Sequence, residues 1–353
     1  MDQLINQVSS EFKGRFARQN PLIIQSPGRV NLIGEHTDYN EGFVLPAAIN
    51  RVAIMALASN GSSQVNAYSA DLKQNFSFDL NKPFLKSDNG WPNYIMGAVD
   101  QLIKAGYEVQ GFDLVFGANI PIGAGLSSSA AVEDGVLYGV SELFGLNVPR
   151  IDIVKMGQKT ENEFVGVNCG IMDQFINVFG DENRVLKLDC RSLDYELVPF
   201  ERDDLSIILC DTQVRRELAS SEYNKRRKQC EEGVAFLQDK MPYKTINSLR
   251  DVTLQMLEDY KGEMDPVVHK RCKYVVEENQ RVLDGSDDLS RDDFASFGKR
   301  MYASHDGLSN EYEVSCEELD VLVDEARTPL IISRNTLNKD EEEVGRQALA
   351  LAK

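Results

Sequence analysis

The stretch Pro121-Ile122-Gly123-Ala124-Gly125-Leu126-Ser127-Ser128-Ser129-Ala130-Ala131 constrains this chain more than any other. It follows an apolar run, Phe112 to Ile120, that reads as a strand, and it leads into Ala131, Val132, Val136, Leu137, Val140 and Leu143 at helical spacing. Strand, glycine loop and helix in that order form an anion cradle. The glycines let backbone N–H groups come close, the helix start adds the positive end of its dipole, and the serine hydroxyls donate to phosphate oxygens or reach a divalent cation. ATP is the anion it suits. An ordinary glycine turn before a capped helix is the alternative reading of the stretch taken alone.

Several nucleotide-binding classes are excluded by the same residues. A Walker A loop needs GxxxxGK[ST], and no Lys stands at the required place; a dinucleotide fingerprint needs GxGxxG, and Ser128 takes the position of its third glycine. No HRD or DFG signature of the protein-kinase fold is present. A formal net charge of −18 disfavours nucleic acid and anionic membrane surfaces as partners, so phosphate must be held by a local site.

The chain is 353 residues long, which suggests two domains with a cleft between them. Six cysteines without a CxxC pair read as reduced thiols. Asp2, Gln3, Asn6 and Gln7 stand where a signal peptide would be basic and then apolar, and no window is long and apolar enough to span a membrane. The expected location is the cytoplasm.

Leu4, Val8, Phe12 and Phe16 recur as one face of a helix. Pro21 and Pro27 bracket a short strand, Leu22 to Ile24, and further strands are expected at Phe43 to Ile49 and Val52 to Leu57. Helices follow at about Tyr94 to Ala105, Ile151 to Glu163 and Ile171 to Phe179, then strands at Arg184 to Leu188, Glu196 to Phe200 and Leu205 to Cys210. A boundary near Phe200 divides the chain into residues 1–200 and 201–353. From Glu217 to about Arg327 the pattern is mostly helical, and Lys225-Arg226-Arg227-Lys228 reads as a solvated helix face.

A second block, Ser26-Pro27-Gly28-Arg29-Val30-Asn31-Leu32-Ile33-Gly34-Glu35-His36-Thr37-Asp38-Tyr39-Asn40-Glu41-Gly42, crowds polar groups around Val30, Leu32 and Ile33, which should be packed. Such a density of donors and acceptors suits a polyhydroxylated ligand, with Glu35, His36 and Asp38 able to meet sugar hydroxyls. Structural roles for His36 and Arg29 are the bland alternative.

The run from Gly28 to Gly42 resembles the signature of galactokinases, and Pro121 to Ala131 resembles the ATP-binding motif of the wider superfamily of galactokinase, homoserine kinase, mevalonate kinase and phosphomevalonate kinase, the GHMP kinases. The resemblance continues through Trp91-Pro92-Asn93-Tyr94, Cys169 to Phe175, Ser220 to Tyr223, Ser304-His305 and Val314 to Asp320, covering residues 20–327. It implies an α+β, two-domain GHMP kinase fold. The N-terminal domain would be ribosomal protein S5 domain 2-like and the C-terminal domain ferredoxin-like, with the active site in the cleft.

The implied activity is ATP-dependent phosphorylation of the 1-hydroxyl of α-D-galactose, with Mg2+ as cofactor and galactose and ATP as the partners of an expected monomer. Asp173 matches the base towards that hydroxyl, and Arg29 the residue that orients the base and stabilises the phosphoryl group. Glu35, His36, Asp38, Gly170, Asp173 and Tyr223 match sugar contacts. Gly123, Ala124, Gly125, Leu126, Ser127, Ser128 and Ser129 match the phosphate loop, Trp91 and Tyr94 the adenine contacts, and Ser128 and Glu161 the metal ligands. An adjacent Arg lowers the pKa of Asp173 while burial raises it, so its direction is open at the level of sequence.

One departure stands out. Members of the family carry a third, glycine-rich motif near the C-terminus, whereas here Arg327 runs into Thr328 to Ser333 and then Asn338 to Lys353, with Gly345 the only glycine. That departure favours, as an alternative to galactokinase, a catalytically impaired sugar and ATP sensor on the same fold; a kinase for a related sugar such as N-acetylgalactosamine, which needs room at the sugar 2-position, is a further alternative.

Overall fold

Val8 and Phe12 on the first helix, α1 (Asp2–Phe16), are fully buried against Val52, Ile54, Ala56, Tyr68 and Val115 of a sheet, as their spacing predicts. The computed structural model describes residues 2–17, 20–200, 202, 204–205, 207–212, 214, 219–327 and 350–352, with backbone only for 219–221 and 350–352. It divides into two compact units, one of Met1–Val30 with Ala47–Gly180 and one of Asn31–Pro46 with Asp181–Lys353. Packing thus groups residues 31–46 and 181–200 with the second unit, where the sequence reading runs the first domain unbroken to residue 200.

Along the chain, α1 is followed by β1 (Leu22–Asn31), β2 (Phe43–Val44), β3 (Pro46–Ser59), β4 (Gln64–Ser69) and β5 (Gln74–Asp79). Then come α2 (Pro92–Lys104), β6 (Phe112–Ala118), α3 (Ser128–Phe144), α4 (Arg150–Lys159) and α5 (Met172–Phe179). The first unit is built on a five-stranded sheet of order β1-β3-β6-β4-β5. β3 and β6 are antiparallel, with Ile54 opposite Gly117, and β4 runs parallel to β6, with Tyr68 opposite Val115.

Three strand expectations change. β1 does not stop at Ile24 but runs through Pro27 to Asn31, because it is an edge strand and a missing N–H there breaks no ladder. The strands expected at Phe43 to Ile49 and Val52 to Leu57 become the short β2 and one long β3, which stays extended through the exposed pair Asn50 and Arg51. β4 and β5 carry too many polar residues to be recognised from hydropathy.

In the second unit, β7 (Arg184–Asp189) and β8 (Tyr195–Pro199) form a sheet of order β2-β7-β8. β9 (Ile208–Cys210) is followed by the helices α6 (Ala219–Lys240), α7 (Leu254–Asp259), α8 (Pro266–Ser290), α9 (Phe294–Gly307) and α10 (Glu317–Arg327), and β9 pairs in parallel with β10 (Ala350–Ala352). α8 starts with Asp265 capping the N–H groups of Val267 and Val268 at 2.8 and 3.0 Å, and Pro266 adds a first-turn proline. Its buried face packs Val268, Cys272, Tyr274 and Val275 against Cys230, Leu237 and Tyr312.

Arg226 corrects the solvated-face reading of the basic run in α6. It is buried and donates to the backbone carbonyls of Tyr312 and Glu313, at 2.7 and 2.8 Å, whereas Lys225 and Lys228 are exposed. Among the described residues no helix is long and apolar enough to cross a membrane. Thr328 to Gly345, on which the question of the missing third motif turns, lies outside the described residues.

Candidate active site

The glycine loop closes β6 and opens α3, as its position in the sequence predicts. Gly123 and Gly125 adopt φ +80 and +69, a region that favours glycine, and both face open space where a side chain would project. Ser127 takes the N-cap position of the 17-residue helix α3. β1 passes close by: a Cβ on Gly28 would lie 2.8 Å from the Leu126 carbonyl, and the Arg29 N–H donates to that carbonyl at 3.2 Å. Glycine at position 28 therefore allows β1 and the loop to touch.

This contact sets up the Arg29 side chain. Its Nε donates to Asp173 Oδ1 and its Nη2 to Oδ2, each at 2.8 Å, while Nη1 donates to the Gly125 carbonyl. The Ser127 hydroxyl donates to the same Asp173 carboxylate. A planar guanidinium fork holds a carboxylate in one orientation more rigidly than a lysine can. Asp173 lies in the first turn of α5 and keeps 29% side-chain exposure, so the pair is not sealed in the core.

Behind it lies a group of buried acids. Glu133 and Asp134, on α3, are 0% and 1% exposed, and Glu161 is 7% exposed at the π-helical turn Thr160–Val165. Burial, opposed mainly by a hydrogen bond from Ser129, pushes Glu161 up to about 7. Glu133 and Asp134 are raised well above the usual carboxylate range by burial and then by Glu161. Gln174 donates to Glu133 Oε1 at 2.8 Å, but Glu133 Oε2 and both Asp134 oxygens have no partner among the described residues. Hard oxygen donors and uncompensated negative potential fit a cation such as Mg2+. Among the described residues no three His, Cys, Asp or Glu side chains converge to ligate a metal unaided. The hydroxyl bonded to Glu161 belongs to Ser129 rather than Ser128.

Trp91 and Tyr94 flank the start of α2 and have different neighbours. The Trp91 indole donates to Gln74 at 2.9 Å and packs on Phe116 and Phe76, with ring centroids 5.4 and 6.2 Å away. Burial, and then the nearby Glu161 and Glu133, raise the pKa of Tyr94. Gly170 is buried just before α5.

The second unit contains Glu35, His36, Asp38 and Tyr223. Gly34 has φ +98, and a Cβ there would lie 2.9 Å from the Phe43 carbonyl and from Val282, so only glycine can make the bend. The Thr37 hydroxyl sits within 2.8 Å of the Gly34 carbonyl and 2.6 Å of the Phe43 carbonyl, pinching the loop. Asn31 donates to Glu35 Oε1 at 3.3 Å, and Asp38 accepts the Tyr39 N–H at 2.9 Å. The His36 ring lies 5.5 Å from that of Tyr223.

Three residues of α8 hold this loop and were not recognised in the sequence. Tyr274 donates to the Glu35 carbonyl at 3.0 Å, Glu278 accepts the Gly34 N–H at 2.7 Å, and Asn279 accepts the Phe43 N–H at 3.0 Å. The one available signal was a polar pair, Glu278 and Asn279, at helical spacing from the apolar Tyr274, Val275 and Val282.

Residues 10–59 match the galactokinase galactose-binding signature, and residues 93–181 match the GHMP kinases N terminal domain. The chain is 43% identical over 304 residues to the galactokinase of Thermotoga maritima, spanning 86% of this chain and 82% of that one. The structure of Lactococcus lactis galactokinase complexed with galactose matches with a TM-score of 0.86 at 36% identity, over 92% of this chain and 84% of that one. Streptococcus pneumoniae phosphomevalonate kinase, solved with phosphomevalonate and AMPPNP, shares the fold alone, at 12% identity and a TM-score of 0.57 over 86% of this chain and 85% of that one. Fold and phosphate loop together define a kinase of the GHMP class, with a mixed α+β architecture. Within that class the chain belongs to the galactokinase family.

Proposed function

We propose that this kinase transfers the γ-phosphoryl group of ATP to the 1-hydroxyl of α-D-galactose, giving galactose 1-phosphate and ADP. The observation that carries the reading is the two-pronged Arg29–Asp173 pair beside the phosphate loop, with Ser127 on the same carboxylate. Asp173 accepts the proton of the sugar hydroxyl as its oxygen bonds to the γ-phosphorus. The bond to the β,γ-bridging oxygen breaks and ADP leaves. Arg29 holds the carboxylate in line and offsets charge on the transferring group, which is the main work a protein does in phosphoryl transfer.

The loop from Gly123 to Ser129 cradles the phosphates, and Trp91 and Tyr94 take the adenine end. Glu35, His36, Asp38, Gly170 and Tyr223 bind the sugar hydroxyls. Ser128 and Glu161 hold Mg2+, which neutralises phosphate charge when bound; the oxygens of Glu133 and Asp134 that lack a partner among the described residues support a cation at this place. Six cysteines outside any disulfide accord with a reducing cytoplasm, where the protein acts as a monomer.

A coupled assay for ADP release over a panel of sugars tests the reading. Turnover with galactose, absent with glucose, weaker with N-acetylgalactosamine and abolished by EDTA, is the expected result. Calorimetric binding of galactose and MgATP without turnover would overturn it in favour of a sensor.

A further inference from the structure

His36 adopts φ +65, a left-handed conformation that a side chain with a β-carbon rarely takes. Its own loop and the core of the second unit hold it there. Asn40 donates from Nδ2 to the His36 carbonyl at 2.9 Å. On the side-chain end, His36 Nδ1 lies 2.9 Å from the Tyr39 hydroxyl, which lies 2.7 Å from the Tyr312 hydroxyl, which lies 3.3 Å from Cys230 Sγ. The Tyr312 and Cys230 side chains are buried, and the His36 ring packs against that of Tyr312 with centroids 4.8 Å apart.

A chain of single-proton donors has a direction. The Asn40 carboxamide also bonds to the Cys230 thiol, so the sulfur already accepts a hydrogen bond. Thiol sulfur is a poor acceptor beside a hydroxyl or imidazole, and Tyr312 gains more by donating to Tyr39 than by donating to Cys230. Tyr39 then donates to His36 Nδ1, which must be unprotonated. Burial raises the pKa of both tyrosines, so each hydroxyl keeps its proton to donate.

We propose that Tyr39 and Tyr312 are positioning residues that fix the ring of His36 and its Nε2–H tautomer, making His36 a hydrogen-bond donor to a hydroxyl oxygen of the sugar. The inference rests on the reading above that His36 contacts galactose. It makes sugar selection depend on an acceptor at the position His36 faces, since an Nε2–H donor cannot accept from a hydroxyl.

The protein has three histidines, so the imidazole nitrogens of the full-length, 15N-histidine-labelled chain can be resolved by long-range 1H–15N correlation and assigned by substitution. The expected spectrum of the unsubstituted protein shows His36 protonated at Nε2; an Nδ1–H tautomer overturns the proposal without any variant needing to fold. Tyr39→Phe and Tyr312→Phe should shift His36 towards mixed tautomers and raise the KM for galactose about fivefold, a loss on the scale of one hydrogen bond. The change in kcat should be smaller. In a His36→Ala background, Tyr39→Phe should add nothing to KM; fully additive effects overturn the proposal. If His36→Ala leaves the galactose KM unaltered, the assumed sugar contact fails instead, and the spectra report on the tyrosine chain separately.

Discussion

Glu278 accepts the Gly34 N–H at 2.7 Å from a side chain with no solvent exposure. The same carboxylate accepts from the Ser304 hydroxyl and from Arg281 Nε, each at 2.6 Å, so a loop, two helices and a guanidinium meet at one residue. Glu278→Ala strands the Gly34 N–H and the Ser304 hydroxyl and leaves the half-buried Arg281 with Glu277 at 3.7 Å, and should cost about 3–5 kcal/mol in chemical denaturation, whereas Glu278→Gln, which keeps an acceptor, should cost less. An alanine variant as stable as its parent would show that the loop is held by other means.

Asp173→Asn keeps the shape of the side chain and removes its basicity. We expect kcat to fall by about 10²–10⁴ while calorimetric galactose affinity changes little. Arg29→Lys loses the fork and should cost about 1.5–3 kcal/mol of transition-state stabilisation, read as kcat/KM. Near-parental turnover in the Asn variant would reduce the pair to a structural salt bridge.

Asp134 is a buried acid with both oxygens unpartnered among the described residues, and burial, then Glu161 and Asp173, raise its pKa well above 3.8. A raised folded-state value means that the folded protein binds more protons than the unfolded chain as pH climbs above that range, so stability falls with rising pH. Glu133 and Glu161 act in the same direction. In metal-free protein, Asp134→Asn should therefore gain about 1–3 kcal/mol at pH 8 and less at pH 5. Thermal melts across that interval check the sign; a variant that is less stable at pH 8 contradicts it.

Gly125→Ala introduces a methyl group into open space at φ +69, so its effect is on the backbone rather than on packing. The left-handed conformation should cost about 1–2 kcal/mol, and the loop should respond by relaxing. The KM for ATP should rise while that for galactose holds, a split that steady-state kinetics with each substrate varied in turn will show or deny.

The parts of the molecule that could be read in advance are local. Phe112 to Ala131 announces strand, loop and helix because apolar periodicity and positive-φ glycines are properties of neighbouring residues. β4 and β5 escaped because residues such as Gln64, Asn66, Gln74 and Asn75 mask the alternation. Arg29 and Asp173 were paired through a resemblance, not through spacing, since they lie 144 residues apart. Tyr274, Glu278, Asn279 and Tyr312 act on a loop more than 230 residues earlier, a relationship that no periodicity encodes. Arg226 was misread for the same reason: its carbonyl partners lie 86 and 87 residues downstream.

Residues 31–46 of the sugar signature belong by packing to a unit completed only by α8, far along the chain. During synthesis, at about 5–20 residues per second, that signature leaves the ribosome long before its supports exist. The phosphate loop, by contrast, finds its partners within the earlier unit. A nascent or prematurely terminated chain ending before α8 would thus carry a phosphate loop packed within its own unit and a recognition loop without its α8 hydrogen bonds, with the backbone from Asn31 to Pro46 open to a quality-control protease.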